Sequence, residues 1–181
     1  MTVSLQPVFD ILVEFGGGHK VDVEMQVVNQ KKHLGARAQY YLSNIAAGQI
    51  VRGDRYEHMN DSYVLFFLDY IHYRDEKLIH RFSMRTEDGR PFDSHLFSNI
   101  ITVEIPKIHF RETMDDAQLW TYMLKCSGSN DMSLSESSRE MVDRREELSM
   151  LVECVKRIPK DDKEWLEEFN QRRAEIELAQ R

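Results

Sequence analysis

Asp10, Glu24 and Gln26 are the residues on which chemistry could turn. They fall in two short runs, "VFDILVEF" at 8 to 15 and "VDVEMQ" at 21 to 26, separated by "GGGHK". Both runs alternate with the period of two that marks strands with unlike faces. The glycines between them reach positive φ without steric cost, which predicts a hairpin. Phe9, Ile11, Val13 and Phe15 fall on one face of the first strand, and Val8, Asp10, Leu12 and Glu14 on the other. On the second strand Val21, Val23, Met25 and Val27 oppose Asp22, Glu24 and Gln26. Matching apolar to apolar puts Asp10 and Glu24 on one face, with Asp10 opposite either Glu24 or Gln26 and Cβ separations of roughly 5 to 8 Å. Two carboxylates that close repel unless a cation lies between them. Mg²⁺ suits such a pair, because it takes oxygen ligands, usually one or two carboxylates, and fills its other positions with water and phosphate oxygens. The competing reading is a solvated strand face carrying scattered acids, since exposed sheet faces alternate polar with apolar. Val8, Leu12 and Val28 on the polar face argue for partial burial, where acids without a cation are costly.

The elements that would position this pair follow along the chain. From Leu34 to Ile50 the spacing turns helical, with Leu34, Ala38, Tyr41 and Ile45 on one stripe and Gly48 as a stop signal. A buried strand is predicted at about 62 to 72, then a hairpin in "KLIHRFSMRTEDGRPF" with Asp88-Gly89 at its turn. "NIITVEIPKI" at 99 to 108 reads as a strand with Pro106 at its exit, and "DDAQLWTYML" as a helix with acids at its positive end. "SGSNDMSLSESS" at 127 to 138 is small and polar, and reads as a linker. Beyond it two helices are expected. Met141, Leu148, Leu151, Val155 and Ile158 make one apolar stripe, closed by Pro159; Trp165, Phe169 and Ile176 make another. The domain reading is a core over 1 to 126, a linker over 127 to 138 and a helical appendage over 139 to 181.

Composition narrows the class. At 41% hydrophobic and 30% charged, the chain is of globular type. The longest apolar stretch, "YVLFFLDYI" at 63 to 71, is too short to span a bilayer and contains Asp69, and the start lacks the features of a secretory signal. A cytoplasmic protein with no membrane partner is expected. Cys126 and Cys154 share no metal-ligand spacing and read as free thiols. The net charge of −7 argues against a nucleic-acid partner, but its distribution matters more. Residues 1 to 110 hold 12 Lys/Arg against 14 Asp/Glu, and residues 111 to 181 hold 12 against 17. The first part can therefore carry a basic face, with Lys31, Lys32, Arg37, Arg52, Arg55, Arg81 and Arg85 as its cations. The seven histidines show no HExxH spacing, and no Walker loop, GxSxG elbow or zinc-finger pattern occurs.

Taken with the pair, these segments resemble a known family. Asp10, a glycine turn and Glu24-Met25-Gln26 resemble the D…ExQ variant of the PD-(D/E)XK nucleases, as found in the Rpn-type recombination-promoting nuclease family of transposases. "GARAQYYLSNIAAGQI" resembles the family's arginine-tyrosine helix, with Arg37 and Tyr41 at its marked positions. "RGDRYEHMNDSYVLFFLDY" is similar to its G-x-x-Y segment and buried strand, with Gly53 and Tyr56 matching. "VEIPKI" and "LWTYML" resemble its closing strand, with Lys107, and its tryptophan helix.

The resemblance implies an α/β, restriction-endonuclease-like mixed central sheet flanked by helices, here with a C-terminal helical appendage. It implies hydrolysis of DNA phosphodiester bonds with Mg²⁺ or Mn²⁺, Asp10 and Glu24 being ligands together with the Met25 carbonyl. Gln26 stands where relatives of the wider fold have lysine, and its amide can orient water or phosphate. Arg37 has two readings, a two-bond phosphate contact or an ion pair with Glu24. Lys31 and Lys32 are further candidate DNA contacts, and Tyr41 and Tyr56 candidate supports. Relatives carry several tens of residues, including a helix, ahead of the first strand, so the chain reads as N-terminally truncated, with its C-terminal helices or a homodimer to cover the sheet. The alternative function is a catalytically silent remnant that binds DNA or a sister subunit.

Overall fold

A computed structural model describes residues 11–27, 33–92, 98–127 and 136–157. The chain divides into two compact units, Met1–Ile108 and His109–Arg181.

The first unit is built on a five-stranded mixed sheet. Strand β1, Ile11–Phe15, turns through three glycines into β2, His19–Gln26, and pairs with it antiparallel from Ile11↔Val23 to Phe15↔His19. The turn requires glycine: Gly17 and Gly18 have φ of 84° and 88°, and a Cβ on Gly18 would stand 2.7 Å from the Asn60 amide nitrogen. Helix α1, Leu34–Ala47, then carries the chain back so that β3, Ser62–Leu68, lies parallel to β2. After β4, Ile79–Phe82, strand β5, Ser98–Glu104, pairs parallel with β3 on one side and antiparallel with β4 on the other. The resulting order is β1-β2-β3-β5-β4.

The helix stripe predicted from spacing is the one buried. Ala38, Tyr41, Leu42 and Ile45 pack against Val64, Phe66 and Leu68, the alternate residues of β3. The register puts Asp22, Glu24 and Gln26 level with those three and on the same face. The end of α1 is tied to the start of β3 by one side chain, Gln49, which donates to the Asn60 carbonyl (3.0 Å) and the Ser62 hydroxyl (2.7 Å) and accepts the Asn60 N–H (2.7 Å).

Two strand expectations change. β5 stops at Glu104 because Pro106 has no N–H to continue the ladder, and Ile105–Lys107 form a single 3₁₀ turn that brings Lys107 back onto Glu104. The predicted second hairpin keeps its turn, closed by Thr86 and Arg90 with Gly89 at φ 86°. Its arms, however, meet only at one bridge, Arg85↔Pro91, among the described residues, since Pro91 cannot donate and β4 takes β5 as its partner.

In the second unit, α2, Asp116–Ser127, opens with a reciprocal cap: Gln118 N–H donates to Asp115 (2.8 Å) and Asp115 N–H to the Gln118 side chain (3.1 Å). Leu119 and Met123 of α2 are buried, as are Val142 and Leu148. The single apolar stripe expected from Met141 onward is two helices, α3, Glu136–Asp143, and α4, Glu146–Arg157. Between them Arg145 takes over carbonyls that a continuous helix would use, its N–H bonding to Val142 O (2.9 Å) and its guanidinium to Met141 O (3.2 Å) and Asp116 (2.8 Å). Ile158, Pro159 and the stripe from Trp165 to Ile176 lie outside the described residues.

Candidate active site

At the C-terminal end of β2 the alternation of the strand brings Glu24 and Gln26 to one face, about 6.6 Å apart along the strand. Arg37, in the first turns of α1, is aimed at that face by the helix packing behind it. Its guanidinium spans both side chains, donating to Glu24 Oε2 at 2.6 Å and Gln26 Oε1 at 2.8 Å, and reaches the Tyr41 hydroxyl at 3.3 Å. Gln26 completes its orientation by donating its amide N–H to the Met25 carbonyl at 3.1 Å. Because Arg37 can only donate, the carboxamide oxygen must face it, which fixes the way the amide is turned.

Burial makes the charges count. Asp22 and Glu24 have no solvent exposure, while the Arg37 side chain keeps 22%. A fully buried carboxylate is tolerated where it is paired and hydrogen-bonded, and Arg37 supplies that pairing for Glu24. Burial first, then the nearby Glu24 charge, pushes the Tyr41 hydroxyl above its usual pKa; the hydrogen bond from Arg37 opposes this. Tyr41 is therefore a neutral phenol packed into the core, with Arg37 over its ring at 5.7 Å.

Of the two readings of Arg37, the ion pair with Glu24 is the one present in this structure. Tyr56 sits on an exposed 3₁₀ turn, Tyr56–His58, with its ring open to solvent. The Met25 side chain is exposed, and its backbone carbonyl accepts the Gln26 amide. Asp10, Lys31 and Lys32 lie outside the described residues. Asp22 was placed on the correct face by alternation, but nothing in the sequence showed that it would be as deeply buried as Glu24. Glu104 was missed as well: it is fully buried, on the same face and level with Gln26 in the ladder, two strands away.

Among the described residues no group of three His, Cys, Asp or Glu side chains is arranged to hold a metal ion. The donors on the face are nonetheless of the right kind for a hard divalent cation: Glu24, Asp22 and the Met25 carbonyl all offer oxygen.

A comparison with protein-family models matches residues 5–180 to the family described as PD-(D/E)XK nuclease family transposase. The chain belongs to that family. The five-stranded mixed sheet with its helices is the α/β, restriction-endonuclease-like architecture expected of a PD-(D/E)XK protein. Comparison with curated proteins found no match, and comparison with solved structures found none. PD-(D/E)XK nucleases generally use divalent metal ions, and the family implies DNA as substrate. No helix among the described residues is long and apolar enough to cross a membrane.

Proposed function

We propose that this PD-(D/E)XK transposase-family chain is a metal-dependent DNA endonuclease of the Rpn recombination-promoting type, acting in the cytoplasm, with Asp10, Glu24 and Gln26 as its catalytic residues. The observation that carries the reading is the Arg37 fork that joins Glu24 to Gln26 at the end of β2, in a chain of a nuclease family. Asp10 immediately precedes Ile11, the ladder partner of Val23. Asp10 itself lies outside the described residues, and its part in the site rests on its resemblance to the D of the family's D…ExQ pattern.

Asp10, Glu24 and the Met25 carbonyl would hold Mg²⁺ or Mn²⁺. When bound, such an ion neutralises charge on the phosphoryl oxygen and lowers the pKa of water. The remaining roles belong to the chain. Gln26, whose orientation is set from both ends, aligns the attacking water or the phosphate through its amide. Arg37 keeps Glu24 compensated in the resting site, and its planar donors suit a phosphate once the cation relieves Glu24. Tyr41 stays protonated and holds Arg37 in place. Lys31 and Lys32 add positive charge for the DNA backbone.

Plasmid nicking tests this. Cleavage should require Mg²⁺ or Mn²⁺, vanish in Glu24→Ala and fall about 100-fold or more in Gln26→Ala, as expected for loss of a group that orients the reaction, while both variants still bind DNA. In calorimetry, Asp10→Asn should lose the heat of Mn²⁺ binding. Metal-binding heat and cleavage that survive Asp10→Asn and Glu24→Ala would remove these residues from the chemistry, and DNA binding without cleavage in every condition would leave a silent binding protein.

A further inference from the structure

The segment after β3 leaves the sheet directly beside the candidate site, since Asp69 N–H donates to the Gln26 carbonyl at 2.9 Å. Its sequence, "DYIHYRDEKLIHRF" at 69 to 82, interleaves rings with cations. The rings form a continuous row. Tyr70 and His72 have centroids 6.2 Å apart, His72 meets Tyr73 edge-on at 4.6 Å, Tyr73 lies 4.3 Å from His80, and His80 lies 6.3 Å from Phe82. The row starts beside the site: Tyr70 packs against the core that includes Tyr41 and Ala38 of α1 and Leu68 of β3, and burial raises its pKa.

What holds the row is an acid. Glu104 is completely buried, and one of its oxygens accepts the backbone N–H groups of His72 and of Tyr73, the latter at 2.9 Å. Its other oxygen takes the Lys107 ammonium at 2.5 Å, and that ammonium also reaches the Lys77 carbonyl at 3.1 Å and Asp75 at 3.4 Å. Asp75 in turn holds His80 at 2.9 Å. A loop that only joined two strands would not need a buried carboxylate and a nearly buried lysine at its centre, because a satisfied polar anchor is a costly way to gain stability and a good way to fix position. Arg74, Lys77 and Arg81 are exposed along the segment and offer donors to phosphate, while Asp69, Asp75 and Glu76 balance their charge, so the rings rather than net charge set what the segment can bind.

We infer that the rings from Tyr70 to Phe82 form a stacking platform for unpaired bases of the DNA strand that enters the site at Gln26 and Arg37. The preferred substrate is then DNA with a single-stranded segment next to the scissile phosphate, which a negatively supercoiled plasmid can open, over relaxed intact duplex. Aromatic side chains and cations together recognise single strands in this way, because every base offers a π-face and the phosphates follow the positive charge. A base paired in a duplex has no free face to offer. The inference rests on the nuclease reading, and Glu104 is a positioning residue within it.

The test is binding without metal, so that it does not depend on cleavage. Fluorescence anisotropy of the full chain should show tighter binding to a short single-stranded oligodeoxynucleotide than to the blunt duplex of the same sequence. 2-Aminopurine in the single strand should lose emission on binding, as a stacked base does. Tyr70→Leu and His72→Leu should each weaken single-strand binding roughly 5- to 100-fold, leave duplex binding unchanged and abolish the quenching. Tyr70→Phe and His72→Tyr, which keep a ring, should retain both. Equal affinity for the two DNAs, or single-strand binding that survives both leucine variants with quenching intact, would overturn the platform. Metal-dependent duplex cleavage alongside that result would show that the platform failed while the nuclease reading stood.

Discussion

Two side chains of opposite character, Arg37 and Tyr41, stand one helical turn apart and are tuned by the same carboxylate. Arg37 is drawn to Glu24, whereas Tyr41 is made harder to ionise by burial and by Glu24. A phenol with a raised pKa binds its proton more tightly folded than unfolded. Its contribution is thus complete below the ordinary value of 10.0 and is lost as pH rises through that value to the higher folded one. Chemical denaturation between pH 8 and about 11 should accordingly show stability falling above about pH 10, with a shallower fall in Tyr41→Phe. An identical slope in the variant would mean that Tyr41 ionises as freely as an exposed tyrosine. The residue scale is also where sequence reading ended soonest. Alternation put Glu24 and Gln26 on one face and helical spacing put Arg37 and Tyr41 within reach, but the choice of Arg37 between phosphate and Glu24 depends on which cation reaches the buried acid, and spacing carries no such information.

At the scale of elements, the hairpin and α1 were legible because each combines a clean period with a glycine boundary, and the central strand because it is a short continuous apolar run. The hairpin turn gives a direct measure of that boundary. Gly18→Ala places a side chain at positive φ and within 2.7 Å of the Asn60 amide, a backbone cost of about 1 to 3 kcal/mol. Gln49 holds the backbone carbonyl and N–H of Asn60, so its side-chain amide can turn aside from the new methyl and the cost falls on the backbone conformation at residue 18. A urea midpoint that stays unchanged in Gly18→Ala would show that the turn relaxes freely. What the sequence hid at this scale were contacts between distant segments. The break between α3 and α4 depends on Arg145 meeting Asp116 of α2, and the fixing of the loop after β3 depends on Glu104, 31 and 32 residues further along. Neither leaves a periodic trace.

For the whole molecule, the net charge of −7 divides into −2 over residues 1 to 110 (12 − 14) and −5 over residues 111 to 181 (12 − 17). A protein of this sign binds DNA through local positive groups, so few counterions are released. The logarithm of the binding constant should fall with the logarithm of salt concentration at a slope of roughly −2 to −4, corresponding to a few phosphate contacts, and Arg37→Ala should reduce that slope by about 1. A slope near zero would mean that phosphate contacts do not drive binding.

Sheet order follows chain order through β1, β2 and β3, so the residues around Glu24 are assembled from neighbours in sequence, and among the described residues β1 is left as one of the two edge strands. Ile11, Leu12, Val13 and Phe15 are all substantially exposed there, and the segment has no lysine or proline to discourage a second strand from adding to it. The strand that borders β2 and its Glu24 is therefore also a segment prone to template intermolecular sheet growth. In a crowded cell, chaperone capture during synthesis competes with that growth, and the yield of folded protein depends on which is faster.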